Sequence, residues 1–284
     1  MSVAIVTDST ASLSAEDAAH DAITVVPTTV IIGSKIHTEG VDVDGRTIAE
    51  ALAERRPIST SRPAPETFQA IYANLASAGA TEIVSVHLSA KVSGTIDSAR
   101  LAASRVDVPV HVVDSGQVGL ATGFAAGAAA RAAAAGASVE DVVAAAQWVG
   151  DHSTVLLYVD TLEYLKRGGR IGSAAALIGS ALAVKPILTI AGGEVAPLEK
   201  VRTKNRALAR LVALAVEAAN DAGESYDIGV QHLTAPDVAE GAATRLAAAL
   251  GLPSVAVDEV GADIGAHVGP GMIAVTVSAH PQPS

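Results

Sequence analysis

The chain alternates between short runs rich in valine and isoleucine and longer stretches with helical spacing. Strands are predicted at 3–7, 23–32, 83–87, 110–113, 154–159, 226–232, 254–260 and 272–278, and a hairpin is predicted from 186–191 and 195–201, joined at Gly192-Gly193. Helices are predicted around 14–21, 46–55, 65–78, 94–105, 118–135, 138–149, 161–166, 173–183, 204–221 and 237–249. This alternation predicts two α/β domains with mostly parallel sheets, residues 1–150 and 151–284.

Composition limits the function classes. The 284 residues include 30 acidic and 19 basic side chains, a net charge of −11 that disfavours nucleic acid as a partner. The absence of cysteine excludes disulfides, thiolate nucleophiles and cysteine metal sites. The run from Val3 to Val6 has no basic leader, and the apolar run from Ala174 to Val184 is too short to span a bilayer. We therefore expect a cytoplasmic protein without stable membrane insertion.

Three polar turns, rich in hydroxyl or glycine residues, follow apolar strand-like runs. They are Thr60-Ser61-Arg62-Pro63, Ser93-Gly94-Thr95 and the turn from His267 to Gly271. Such turns could meet at one rim of a sheet. Polar groups beside an aliphatic body suit a ligand with an acidic head and an apolar tail better than a nucleotide or a metal. Taken singly, Ser93-Gly94-Thr95 is equally explained as a helix cap, and Thr60-Ser61 as a turn before a helix.

Other chemistries have weaker support. A hydrolase could use Ser89 or Ser93 as nucleophile with His267 and either Asp114 or Asp8, but no Gly-x-Ser-x-Gly elbow occurs. The chain has no phosphate-binding loop of the Walker or dinucleotide type. A local cluster could suggest a metal, but a turn entering a helix at Asp44 explains it more simply; its members are His37, Glu39, Asp42 and Asp44. Gly168-Gly169-Arg170 is predicted to be the end of a helix.

Several motifs in order along the chain resemble the DegV family, whose members include the fatty-acid-binding subunits of bacterial fatty acid kinase. The matching pieces are Val6 to Thr10, Thr60 to Pro63, Leu88 to Thr95, Val113 to Ser115, Leu162 to Gly172, Lys185 to Leu188, and His267 to Gly271. Arg62 stands where the family more often has glutamine, and Ile96 stands where an aromatic residue is common. The hydroxyl positions themselves are intact.

The resemblance implies a non-catalytic carrier without a cofactor, which holds a long-chain fatty acid in a tunnel between its domains. A separate ATP-dependent kinase subunit would then convert the carboxylate to an acyl phosphate for phospholipid synthesis. The residues it assigns to the carboxylate are Thr60 and Ser93, with His267 nearby. We add the neighbouring hydroxyl residues Ser61 and Thr95 to this predicted carboxylate site. The resemblance also implies that Arg202 docks the kinase.

The apolar segment from Ser173 to Val184 fits either a tunnel wall or ordinary core, with Leu177, Ile178 and Leu182 as its large side chains. Arg170 is a candidate for the ligand mouth. Ser93 and Thr95 at a helix start would favour an anion without a lysine, which would leave the carboxylate nucleophilic. A free-standing hydrolase or small-molecule kinase-like enzyme, and a regulatory lipid sensor, are the alternatives.

Overall fold

The computed structural model describes residues 2–178 and 185–281, and it divides the chain into two compact units. Unit 1 contains the residues up to 29, residues 61–152 and those from 280 onward. Unit 2 contains residues 30–60 and 153–279. The change of unit at 152/153 lies beside the predicted boundary at 150/151. Residues 30–60, which the sequence placed in the first domain, group with unit 2.

Unit 1 is a parallel four-stranded sheet covered by helices on both faces, in the strand order β2-β1-β6-β7. Strands and helices are numbered along the whole chain, and those of unit 1 are β1 (Val3–Asp8), α1 (Ala15–His20), β2 (Ile23–Val26), α3 (Pro65–Ser77), β6 (Glu82–His87), α4 (Thr95–Ala103), β7 (Val110–Asp114), α5 (Leu120–Ala134) and α6 (Val139–Asp151). A 3-10 helix, Ser9–Ala11, follows β1.

The two faces of this sheet have different cores. Val84 and Val86 pack with the alanine-rich α5 and with α6, where small side chains permit close helix contact. Ile83 packs on the opposite face with Phe68 and Tyr72 of α3 and with α4. Side chains alternate along a strand, so Ser85 and His87 share the face of Ile83 and lie beneath α3.

Unit 2 contains a six-stranded sheet, in the order β10-β9-β8-β13-β11-β12, and a three-stranded sheet, in the order β4-β3-β5. Its elements are β3 (Thr29–Ile32), β4 (Lys35–Thr38), α2 (Gly45–Ala53), β5 (Ile58–Ser61), β8 (Ser153–Tyr158), α7 (Glu163–Arg167), β9 (Lys185–Ala191), β10 (Glu194–Val201), α8 (Lys204–Ala222), β11 (Tyr226–His232), α9 (Pro236–Leu250), β12 (Ala256–Glu259), α10 (Ala262–Val268) and β13 (Ile273–Ala279). The bounds of β3 and β5 each extend one residue into unit 1.

The predicted α/β class is confirmed, and the prediction of a parallel sheet holds for unit 1. The large sheet of unit 2 is mixed, because only β11 and β12 pair in parallel. The predicted hairpin at Gly192-Gly193 accounts for one antiparallel pair. A second is the pair of β11 and β13: after β12 the chain turns back through the short helix α10, so β13 runs antiparallel to β11.

Two predicted elements differ in the structure. The strand predicted at 23–32 is interrupted at Pro27, which lacks a backbone N–H, and its halves β2 and β3 belong to different sheets. The helix predicted at 173–183 is, over its described part, a 3-10 helix, Gly172–Leu177. Ala175 and Ala176 are exposed there, so this part is not the fully buried core helix that its apolar sequence allowed. Residues 179–184 lie outside the described residues.

Three short elements of unit 2 were not predicted: β4, β5 and α10. The two strands have four residues each and are partly polar, and α10 was taken for a glycine-rich turn. In the described parts of the chain, no helix combines the length and hydropathy that crossing a bilayer requires.

Candidate functional site

In unit 1, the strand order reverses between β1 and β6, at whose carboxyl ends a ligand crevice is expected. The chain leaves β1 towards β2 on one side and later continues from β6 to β7 on the other side. Open parallel sheets bind ligands at such a reversal of strand order. The polar turn Ser93-Gly94-Thr95 follows β6 at this point, so the fold of unit 1 places that turn where a ligand is expected.

The turn itself is a small hydroxyl cluster at the start of α4. Ser93 Oγ and Thr95 Oγ1 are 2.9 Å apart, and Ser93 Oγ also accepts the backbone N–H of Thr95 at 3.3 Å. Gly94 is the N-cap residue, so Ser93 precedes the helix and does not cap it. The exposed guanidinium of Arg62 donates to the carbonyl oxygen of Gly94 at 3.1 Å. A side chain at position 94 would collide with that guanidinium, which explains the glycine.

At the ends of β1 and β6, unit 1 contains a buried chain of hydrogen bonds that the sequence did not predict. His87 Nδ1 is 2.6 Å from Asp8 Oδ2, His87 Nε2 is 2.7 Å from Ser85 Oγ, and Ser85 Oγ is 2.8 Å from Tyr72 Oη. The four side chains are 0 % exposed. Asp8 also accepts the hydroxyl of Thr10. This is the bonding pattern of a Ser-His-Asp triad, but Tyr72 covers the serine and no solvent reaches it.

The residues that a hydrolase would need are buried or make other hydrogen bonds in the structure. The carboxylate of Asp8 is bonded to His87, and that of Asp114 accepts the backbone N–H groups of Gly116 and Ala90. Ser89 is buried at 1 % exposure. The bonds found in unit 1 are therefore those of a structural network around the ends of β1, β6 and β7.

In unit 2, Thr60 and His267 are brought together across 207 residues. Thr60 is near the end of β5, and His267 is in the last turn of α10. Thr60 Oγ1 and His267 Nε2 are 2.9 Å apart. Ser61, at the end of β5, is exposed, and its hydroxyl donates to the carbonyl oxygen of Arg62 at 3.4 Å. Thr60 and His267, which the family resemblance assigns to the same head group, are thus in direct hydrogen-bond contact.

Glu39 fixes the start of the helix that carries His267. The N-cap residue of α10, Gly261, has no side chain to accept a backbone N–H. Glu39 is buried, and its Oε1 accepts the N–H of Asp263 at 2.8 Å. A carboxylate at a helix start also interacts favourably with the helix dipole. A Cβ at Gly261 would collide with this carboxylate, so the glycine permits the contact.

The segment after α10 packs against the region of α7 through a row of three close contacts. Positions 160, 164 and 168 contact positions 271, 269 and 267, respectively. One residue of each pair is a glycine, whose missing side chain permits the close approach. The contacts pair Gly168 with His267, Tyr164 with Gly269, and Asp160 with Gly271. Gly269 and Gly271 also have φ values of +76° and +80°, which other residues rarely adopt.

Gly168-Gly169-Arg170 ends α7, as predicted. Arg170 N–H donates to the carbonyl oxygen of Leu165 and Gly169 N–H to that of Lys166, and Gly169 has a φ of +74°. This is a Schellman motif. Arg170 Nη1 donates to the carbonyl oxygen of Gly168 at 2.6 Å, which places the guanidinium beside His267.

Burial lowers the pKa of His267 to about 4, and the charge of Arg170 contributes to the shift. Asp263 Oδ1, 4.0 Å from Nε2, would favour the protonated ring, but the side chain is only 14 % exposed and burial dominates. His267 is therefore neutral at pH 7.

Asp160 forms hydrogen bonds with residues from three other segments of unit 2. Its carboxylate accepts the hydroxyl of Tyr158 at 2.6 Å and Lys204 Nζ at 3.0 Å, and Lys185 Nζ donates to its carbonyl oxygen at 3.0 Å. Burial opposes ionisation of Asp160, but the bonds from Tyr158 and Lys204 keep its pKa below the ordinary value. Arg202 is exposed just before Thr203, which caps α8.

The residues predicted to line the tunnel do not share one environment. Leu177 is 7 % exposed and packs in a core cluster with Leu157 and Leu188, whereas Ile178 is 43 % exposed. Leu182 lies outside the described residues. Among the described residues no group of three or more histidine or acidic side chains could hold a metal. Of the cluster at 37–44, Asp44 caps α2 through Thr47 N–H, as predicted.

The fold and these contacts define a class: a two-unit α/β protein in which hydroxyl groups stand at strand and helix ends and no nucleotide loop is present in the sequence. Residues 2–280 match the model of a family described as "Uncharacterised protein, DegV family". A DegV domain-containing protein of Streptomyces coelicolor is 51 % identical over 277 residues, which cover 97 % of this chain and 98 % of the relative. The chain belongs to the DegV family.

Solved structures show the same fold over the whole chain. A DegV family protein of Thermus thermophilus, described as fatty-acid-binding, is 31 % identical with a TM-score of 0.91 and covers 98 % of this chain and 100 % of its own. DegV of Bacillus subtilis, described as a fatty acid binding protein, is 32 % identical with a TM-score of 0.89, covering 98 % and 99 %.

Proposed function

We propose that this chain binds a long-chain fatty acid and presents its carboxylate, in the cytoplasm, to a separate ATP-dependent kinase subunit that forms the acyl phosphate. The observation that supports fatty acid binding most strongly is the full-length match in fold to two proteins described as fatty-acid-binding. The kinase step rests on the family resemblance of Arg202 and of the hydroxyl motifs. In this proposal the chain itself is not catalytic.

The head group is held mainly by neutral donors. Thr60 with His267 in unit 2, and Ser93 with Thr95 in unit 1, supply hydroxyl groups, and we assign Ser61 a peripheral role. Two arginines of the predicted motifs already donate to backbone carbonyls: Arg62 to Gly94 and Arg170 to Gly168, where Arg170 would border the ligand mouth. A carboxylate held without a bidentate arginine keeps lone pairs available for attack on phosphorus.

The hydrocarbon tail supplies most of the affinity. Burial of roughly 14 methylene groups at about 0.8 kcal/mol each amounts to about 11 kcal/mol before the costs of association. One charged hydrogen bond contributes about 1.5–3 kcal/mol. We propose that an apolar tunnel lined in part by Leu177, Ile178 and Leu182 determines affinity, while the hydroxyl groups determine where the carboxylate lies.

The test separates retention of lipid from its phosphorylation. Ser93→Ala removes a hydroxyl that contacts both Oγ1 and the backbone N–H of Thr95, the first residue of α4. We expect phosphorylation by the partner kinase to fall about tenfold or more while retention of labelled palmitate falls much less. Ser77→Ala is the matched control, because its hydroxyl bonds only within α3 to the carbonyl of Ala73. Parental turnover in Ser93→Ala would contradict the assignment of Ser93.

The proposed role of Arg202 in kinase docking is tested by substitutions at and just before the start of α8. Arg202 precedes the helix, and Arg206 is an equally exposed arginine one turn further along the chain. We expect Arg202→Ala to raise the concentration of this protein that half-saturates the kinase, with palmitate binding unchanged, and Arg206→Ala to have a smaller effect. Equal effects of the two variants would indicate general charge attraction and would refute a specific role for Arg202.

The Ser85-His87-Asp8 bonding pattern is that of a hydrolase triad, but Tyr72 covers Ser85, which counts against the enzyme alternative. Incubation of the purified chain with acyl esters, or with ATP and palmitate, tests it directly. Ester cleavage that disappears in Ser85→Ala would establish a hydrolase, and ATP turnover without a partner would establish a kinase-like enzyme. Bound lipid without kinase-dependent acyl phosphate would indicate a sensor.

A further inference from the structure

The imidazole of His267 has two different edges. Nε2 faces Thr60 Oγ1 at 2.9 Å. Nδ1 is buried, and no described residue supplies it with a hydrogen-bond partner. A neutral histidine carries its proton on only one of these nitrogens, and the neighbours of the ring decide which one.

Gly168 occupies the Nδ1 edge. A Cβ at this position would collide with Nδ1, so the Cα hydrogen of Gly168 that takes its place points at that nitrogen. A polarised Cα–H group matches a nitrogen lone pair and would repel an N–H group. The guanidinium of Arg170, bonded to the carbonyl of Gly168 at 2.6 Å, adds a positive charge near the ring, which disfavours the doubly protonated imidazolium. The contact with Gly168 therefore favours an unprotonated Nδ1 in the neutral ring.

An unprotonated Nδ1 in a neutral ring leaves the proton on Nε2. The Nε2–H then donates to Thr60 Oγ1, and the hydroxyl of Thr60 is left to donate its own proton elsewhere. With the opposite tautomer, Thr60 would donate to Nε2, and its oxygen would present only lone pairs, which repel a carboxylate.

We propose that His267 is the Nε2–H tautomer and acts as a positioning residue that makes Thr60 a hydrogen-bond donor to the acid group of the ligand. The tautomer follows from the contacts of unit 2 alone. The identity of the ligand, a carboxylate, rests on the proposed function. His267 itself does not touch the carboxylate through Nδ1, because Gly168 covers that edge.

The tautomer is measured on the full-length chain, stripped of lipid and labelled with ¹⁵N-histidine, at pH 7. Long-range ¹H–¹⁵N correlation distinguishes protonated from unprotonated ring nitrogens, and His267→Gln identifies the signals of His267 by their absence. We expect Nδ1 to show the shift of an unprotonated nitrogen and Nε2 that of a protonated one. The reverse assignment would overturn the proposal whether or not the protein binds lipid.

The second arm uses palmitate labelled with ¹³C at the carboxyl carbon. Thr60→Val removes the donor and should weaken binding about tenfold or more, whereas Thr60→Ser keeps the hydroxyl and should stay near the parent. His267→Gln places an amide N–H near the position of Nε2 and should preserve the carboxyl shift that His267→Leu changes. Parental binding by Thr60→Val would overturn the proposal and leave fatty acid binding intact. Failure of the parent to bind palmitate would overturn the proposed function and the ligand part of this inference, but not the tautomer.

Discussion

The burial of His267 allows a quantitative prediction of how the free energy of unfolding depends on pH. The group has a pKa of about 4 in the folded chain, compared with 6.5 for an unperturbed histidine. A lowered pKa means that the unfolded chain binds the proton first as the pH falls. The free energy of unfolding is therefore not reduced by His267 well above pH 6.5. It decreases between pH 6.5 and pH 4 as the unfolded chain takes up the proton, and His267 causes no further decrease below pH 4.

The magnitude follows from the two pKa values. At pH 5 an unfolded His267 is almost fully protonated and a folded one is largely neutral, which lowers the free energy of unfolding by about 2 kcal/mol relative to pH 7. At pH values below 4 the loss approaches about 3 kcal/mol. His267→Gln cannot take up the proton, and its amide can still donate to Thr60.

The assay is urea unfolding followed by circular dichroism, on the parent and on His267→Gln, at pH 7 and pH 5. The other seven histidines are common to both proteins, so they cancel in the difference between the two pH-dependent changes. We expect the parent to lose about 2 kcal/mol more than the variant between pH 7 and pH 5. Equal losses would refute a buried neutral His267, and a smaller loss in the parent would show that Asp263 dominates and raises the pKa.

Two further predictions concern the supports of His267. Gly168→Ala places a methyl group against Nδ1 of His267, so we expect it to displace the ring, lengthen the contact to Thr60 in a crystal structure and reduce palmitate phosphorylation. Gly241→Ala, in α9 with nothing within 4 Å of the added carbon, should have none of these effects. Glu39→Ala removes the buried acceptor at the start of α10, so we expect it to lower the unfolding free energy by about 1–3 kcal/mol and change the ¹⁵N signals of His267, whereas Glu39→Gln keeps an acceptor and should lose less. Ser138→Ala, an exposed helix cap in unit 1, should cost about 1 kcal/mol without changing those signals, and identical spectra for Glu39→Ala and Ser138→Ala would contradict the role of Glu39.

Periodicity predicted most elements of the fold because strands and helices with strong patterns bury one face. β1, β6 and β7 were predicted almost to the residue, and so was the hairpin of β9 and β10. The pattern could not show that Pro27 separates two sheets, or that β13 inserts antiparallel between β8 and β11. Such pairings depend on tertiary contacts, which leave no local period.

The candidate site divides in the same way. Thr60 and His267 were recognised from motifs, and the structure joins them. Glu39 was considered only as a member of a weak acidic cluster, because nothing local in the sequence connects it to a helix start 224 residues away. Gly168 was interpreted as the end of a helix, which it is, but its contact with His267 depends on how α7 and α10 pack.

The buried chain from Asp8 to Tyr72 was also missed as a unit. His87 and Ser85 lie two residues apart on one strand, a spacing that places them on one face, but the sequence analysis used this segment only to predict a strand. Only the approach of α3 shows that Tyr72 completes the chain of hydrogen bonds.

Fatty acid binding is tested most directly by purifying the full chain, denaturing it, extracting it with organic solvent and quantifying lipids by mass spectrometry. A parallel sample is first stripped and then incubated with palmitate. We expect about one long-chain fatty acid per chain in the first sample and stoichiometric uptake in the second. A chain that carries no fatty acid and takes up none after stripping would contradict fatty acid binding.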